Sequence, residues 1–230
     1  MSTGLNMTFD YGAIHLLISQ TVWTTWLIMA LLAGAFCLLT RHLQLEPNKR
    51  QTALESIVVA MFEAVQAVIP EHAEIVFPFV STLWLFIVVA NLIGIVPGMK
   101  SPTADLSTTT ALAIVVFFCV HLFGIRSEGL KSYLKHYLSP TPIMLPFHII
   151  SEISRTLALA VRLFGNMMSL EMATMMILIV AGFLVPVPIL MLHIVEALVQ
   201  AYIFGMLALV YIASGIEAQH RRSKEVRNGA

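Results

Sequence analysis

Residues 145–185 read LPFHIISEISRTLALAVRLFGNMMSLEMATMMILIVAGFLV. A helix rises roughly 1.5 Å per residue, so one helix of this length would be about twice the ~30 Å thickness of membrane hydrocarbon. Such an element must be strongly tilted, bent or partly horizontal. Inside it stands Arg162, in the run Ala-Leu-Ala-Val-Arg-Leu-Phe-Gly-Asn-Met, and nothing in the flanking sequence offers the cation a way back to water. A fixed charge in hydrocarbon costs roughly 2.5–3.5 kcal/mol on insertion scales and normally marks an ion or substrate path.

The rest of the chain agrees with a membrane setting. Hydrophobic residues make up 58% of it and charged residues 11%, with a mean hydropathy of +0.87, a composition that cannot make a soluble surface. The reading is an all-α integral membrane protein. Apolar runs near 21–40, 77–97, 108–125, 145–185 and 187–215 give about five membrane helices. The last two join through Pro186 and Pro188 into a long tilted helical hairpin over 145–215. Further breaks fall at Pro97-Gly98 and at Ser139-Pro140-Thr-Pro142. There is no internal repeat and no soluble domain, so residues 1–230 read as a single membrane domain.

Basic residues set the orientation. Segments 41–74, 126–143 and 217–230 together hold ten of the 13, the opposite side keeps only Lys100, and Arg155 and Arg162 lie within the fourth element. By the positive-inside rule, residues 1–20 form an external N-terminus and 217–230 a cytoplasmic tail. The basic residues are spread along the chain and the net charge is zero, so no nucleic-acid partner is implied. Cys37 and Cys119 both sit in apolar runs and read as packed free thiols. The first basic residue is Arg41, so neither a secretory leader nor an Arg-rich transit peptide is visible and the chain reads as a mature one.

Between the first two spans, residues 47–70 place Leu54, Ile57, Val58, Met61, Phe62, Val65, Val68 and Ile69 at three- and four-residue spacing. This predicts an amphipathic helix, lying either at the cytoplasmic membrane interface or on other cytoplasmic subunits.

Antiparallel helices in a hairpin pair residues whose numbers add to a constant. Arg162 with Gln200, Asn166 with Glu196, and Glu171 with His193 nearly share one. These pairs predict buried polar groups meeting at successive depths. Glu171 lies nine residues from Arg162, about 180° around an ideal helix. One face therefore offers Arg162, with Asn166 and Ser169 roughly in line, to an external partner, and Glu171 turns toward the rest of the protein. His193, Glu196 and Gln200 share a stripe of the last helix.

The run RLFGNM with Glu171 beyond it, HIVEALVQAYIF in the last helix, Asn91-Leu-Ile-Gly-Ile-Val-Pro97 and Pro102-Thr-Ala-Asp105-Leu together resemble the a-subunit family of F-type ATP synthases, from about residue 47 to the end. The resemblance implies a stator subunit in the inner membrane of a bacterium. Its partners would be a rotating c-ring, whose subunits each carry an essential carboxylate, and the b subunits of a peripheral stalk. It further implies that Arg162 faces that ring. The expected role is non-catalytic, with no cofactor and no metal.

Guanidinium stays protonated under physiological conditions, so Arg162 would attract an ionised ring carboxylate without relaying a proton itself. It would thus separate two offset aqueous half-channels. Candidates for the outer relay are Glu171, His193 and Glu196, with Asn91 and Asp105 at the same entrance. Asn91 has a packing amide as its alternative, and Asp105 a helix cap. Arg155, with Glu152 and His148 one and two turns earlier, is either an inner exit or a set of interfacial charges snorkelling to headgroups. Relatives often place one titratable group where this chain has both His193 and Glu196, which leaves open the residue that hands over the ion.

Other classes fit less well. A metalloprotease needs His-Glu-x-x-His, which is absent, and no phosphate-binding loop is present. An ion-coupled secondary transporter is the better rival, but it usually shows repeated halves. The coupling ion is read as the proton, with sodium as the alternative, because the selecting site belongs to the ring.

Overall fold

The computed structural model describes residues 7–11, 14–18, 20–41, 49–96, 99–128, 145–181 and 187–228. The breaks expected at Pro97-Gly98, at 139–142 and at Pro186 lie outside the described residues. Six α-helices follow in chain order: α1 Gln20–Thr40, α2 Lys49–Val68, α3 Ala73–Leu92, α4 Leu106–Glu128, α5 Leu145–Ala181 and α6 Val187–Asn228. Short 3-10 turns, Ile93–Ile95 and Pro102–Ala104, stand between α3 and α4.

Five stretches are long and apolar enough to cross a membrane: Gln20–Leu38, Ala73–Ile95, Leu106–Arg126, Pro146–Val180 and Pro188–Ile216. They match the five expected elements, and the fold is that of an all-α membrane protein. The second begins four residues earlier than the sequence pattern indicated, because Glu74 is accommodated in the first turn of α3, where a negative charge meets the positive end of the helix dipole. α2 forms as the amphipathic pattern requires and is not among the five. The sequence reading did not anticipate a small antiparallel hairpin before α1. There β1 Met7–Tyr11 pairs with β2 Ile14–Ile18, in a register that sets Met7 opposite Ile18 and Tyr11 opposite Ile14.

The chain gathers into two compact units. The first comprises Met1–Glu55, Leu85–Thr109 and Leu163–Ala201, and the second Ser56–Trp84, Thr110–Arg162 and Tyr202–Ala230. In the first unit Ile28, Ile87, Ala90, Leu163, Met167, Ala197 and Ala201 are buried, in company with the polar Asn91, Ser101, Thr103, His193 and Gln200. In the second, α3 buries Val76, Val80 and Leu83 at helical spacing, α4 buries Ala113, Val116 and Val120, and α6 buries Phe204, Ala208, Leu209 and Ile212. The large apolar side chains that stay exposed, such as Trp26, Phe36, Ile179 and Val180, suit a lipid-facing surface, where burial away from water is supplied by acyl chains. Both cysteines are free, but only Cys119 is partly packed. Cys37 is exposed on α1, contrary to the packed reading, because it falls on the face of α1 opposite the buried Ile28 stripe.

Small residues set the closest approach in the second unit. Without a hydrophobic drive between helices in lipid, packing relies on backbones coming near each other. Trp84 does this against α6: its Nε1–H donates to the Tyr202 carbonyl oxygen at 3.3 Å, and its ring stacks on that of Tyr202 with centroids 6.0 Å apart. A methyl group added at Gly205 would overlap the Trp84 indole. Gly205→Ala is therefore expected to cost roughly 1–3 kcal/mol through overpacking. Titration of the purified subunit with SDS should show a lower unfolding midpoint, and an unchanged midpoint would contradict the close approach.

Candidate functional site

Arg162 falls near the middle of the Pro146–Val180 span. It is exposed on α5, and among the described residues nothing forms an ion pair or hydrogen bond with its guanidinium. Ser169 is also exposed, while Asn166 and Glu171 are half-buried. Arg155 stands differently. Its Nη1 lies 4.0 Å from Glu152 Oε2, and its Cζ sits 5.5 Å from the Tyr211 ring centroid, so a carboxylate and an aromatic face both engage it.

In the first unit the expected pairing of Asn166 is displaced by one turn. Asn166 Nδ2 donates to Gln200 Oε1 at 2.7 Å, so Asn166 meets Gln200 and not Glu196. Gln200 is 1% exposed and its Nε2 has no hydrogen-bond partner among the described residues. Such an orphaned buried donor is uncommon and demands a functional or structural reason. Glu196 is half-buried on α6.

Asn91 is fully buried and bonded on every side. Its Nδ2 donates to the Ala197 carbonyl at 3.3 Å, its Oδ1 accepts from Thr103 Oγ1 at 2.5 Å, and its main-chain oxygen is 3.3 Å from His193 Nε2. Ser101 Oγ donates to the Ala90 carbonyl at 2.8 Å and lies 2.7 Å from Thr103 Oγ1. The sequence reading singled out Asn91 and His193 but missed Ser101 and Thr103. Their hydroxyls flank Pro102 in a turn too short to show periodicity.

Asp105 caps α4. Its Oδ1 accepts from the Ser107 main-chain N–H at 3.0 Å, and its Oδ2 accepts from Thr21 Oγ1 at 3.0 Å, which ties the start of α1 to the start of α4. Both carboxylate oxygens are thus engaged.

A family model described as ATP synthase A chain matches residues 22–213. Similar proteins include one from Legionella pneumophila named ATP synthase subunit a, 58% identical over 220 residues that span 95% of each chain. Another, from Pelobacter propionicus and named ATP synthase subunit a 2, is 61% identical over 207 residues, or 90% of this chain and 91% of the relative. A third, from Hahella chejuensis and named ATP synthase subunit a 1, is 60% identical over 200 residues, covering 87% and 85%. The chain belongs to the ATP synthase A chain family. It is a multi-pass membrane protein of that family, and the matched stretch runs from the third residue of α1 to beyond Ala201 in α6, taking in every candidate residue above.

Removing the Asn91 side chain would leave the Thr103 hydroxyl without its amide acceptor in a buried place and would cut the side-chain bond to the Ala197 carbonyl. Asn91→Leu should therefore lower stability by roughly 2–3 kcal/mol, read as an earlier SDS midpoint. An unaltered midpoint would contradict the bonding described.

Proposed function

We propose that this chain is the stator subunit of a rotary ATP synthase, passing the coupling ion, a proton, to and from the carboxylates of a rotating ring through two half-channels. The observation that carries this reading is Arg162, exposed at the middle of an apolar span and without an ion-pair or hydrogen-bond partner among the described residues, in a chain of the ATP synthase A chain family. A guanidinium is charged at any physiological pH, so it holds a passing carboxylate ionised without supplying a leak for protons. Each charge that crosses 100 mV releases roughly 2.3 kcal/mol, and a barrier that titrated would dissipate it.

On the outer side, Glu171, His193 and Glu196 relay protons between water and the ring, with Asn91 and Asp105 shaping the entrance. The N-terminus faces outward and the C-terminus the cytoplasm of a bacterium, as the basic residues indicate. Asn166 and Gln200 hold α5 and α6 in register. Arg155, held by Glu152 and Tyr211, belongs to the inner side. The b subunits of the peripheral stalk anchor the chain against rotation, and ATP chemistry resides in other subunits.

In inverted vesicles carrying the complete synthase, Arg162→Ala should abolish ATP-driven proton pumping while the detached head still hydrolyses ATP. Sustained pumping would falsify the barrier assignment. Glu171→Gln combined with His193→Ala should slow translocation by at least roughly tenfold with the complex still assembled. Equal loss of assembly would assign the pair a structural role instead. Activation of the ATPase by sodium across pH would replace the proton with sodium in the same stator role.

A further inference from the structure

The last four carbonyls of an α-helix have no i+4 donor within it, and at the C-terminal end of α3 side chains supply donors. Ser101 Oγ bonds the Ala90 carbonyl and the His193 ring bonds that of Asn91. A carbonyl can only accept, so His193 Nε2 must carry the hydrogen in this bond. Nδ1 is then the ring atom free to gain or lose a proton, and no described residue bonds it.

The same hydrogen count gives the surrounding network a direction. Asn91 must turn its NH2 group to the Ala197 carbonyl, which leaves Oδ1 facing Thr103. Thr103 has one hydroxyl hydrogen and spends it on that oxygen. The contact between Ser101 and Thr103 therefore takes its hydrogen from Ser101, which divides it between Thr103 Oγ1 and the Ala90 carbonyl. Asn91, so held, grips α6 at two points one turn apart, His193 and Ala197. Space is fitted to this arrangement, because a Cβ on Gly94 would lie 3.0 Å from Ser101 Cβ and 3.7 Å from His193 Cε1.

We propose that Ser101 and Thr103 are positioning residues for ion transfer, which by fixing Asn91 keep His193 with Nε2–H on the Asn91 carbonyl, so that a proton is both taken up and given off at Nδ1. The inference rests on the reading of His193 as a relay group. The proton adds to the Nδ1 lone pair to form imidazolium and departs from the same atom to the next acceptor, which returns the ring to its starting tautomer. A ring flip is not part of the cycle.

Solid-state nitrogen NMR of the complete, 15N-histidine-labelled synthase in liposomes tests this, with His193 signals assigned by their loss in His193→Gln. The expected spectrum at alkaline pH shows a protonated Nε2 and a bare Nδ1. Thr103→Val should introduce the other tautomer and lower ATP-driven pumping by about fivefold, the worth of roughly one hydrogen bond, and Thr103→Ser should restore both. If Thr103→Val does not assemble, Ser101→Ala decides, with a mixed tautomer expected. A wild-type ring protonated at Nδ1, or a tautomer unchanged in both variants, overturns the proposal. Wild-type pumping by His193→Gln overturns instead the relay reading beneath it, and the tautomer measurement keeps the two failures apart.

Discussion

Hydrocarbon supplies neither hydrogen bonds nor counterions, and that constraint sorts the polar residues of this chain into two kinds. Those of the first kind are satisfied within the chain. Asn91, Ser101 and Thr103 are buried and joined to one another and to main-chain carbonyls, and the Asn91 carbonyl in turn holds His193. Arg162 is the second kind, a permanent cation exposed on an apolar helix with no partner among the described residues. A charge placed so requires an anion from outside the chain, and the proposed stator role supplies one in the carboxylates of a rotor.

The satisfied contacts join the helices of the first unit to one another. Asn91 fastens the end of α3 to α6 at His193 and Ala197, Asp105 ties the start of α4 to Thr21 of α1, and Asn166 joins α5 to Gln200 of α6. Each contact is a modest bond in energy. Together they fix polar atoms at depth on helices whose remaining surface is apolar. In the second unit the same task falls to close packing, with Gly205 leaving room for the Trp84 indole.

The spans were legible in the sequence because twenty or so apolar residues in a row have one stable arrangement in a bilayer. The amphipathic spacing likewise marked α2, although of its predicted stripe Val65 is buried while Leu54, Ile57 and Val58 stay exposed. The pairing of Asn166 was misjudged by one turn, because helix register depends on a connection whose geometry two prolines do not determine. Ser101 and Thr103 were not singled out, although Thr103 lies in the Pro102-Thr-Ala-Asp105 run, since hydroxyls in a four-residue turn carry no period. The hairpin of β1 and β2 is written only in two five-residue runs on either side of Gly12-Ala13, a signal easily outweighed by the long apolar helix that follows. Asp105 was recognisable as a residue with two possible duties, and its bonds to Ser107 and Thr21 account for both oxygens.

The most direct test is an electron cryomicroscopy map of the assembled synthase in lipid, measuring the distance from the Arg162 guanidinium to the nearest carboxylate of the rotor. The account predicts that this carboxylate lies within about 6 Å, the range over which opposite charges hold each other ionised, and that no acid of the same chain is closer. A guanidinium directed into lipid, or paired with a carboxylate of its own chain far from the ring, would contradict it.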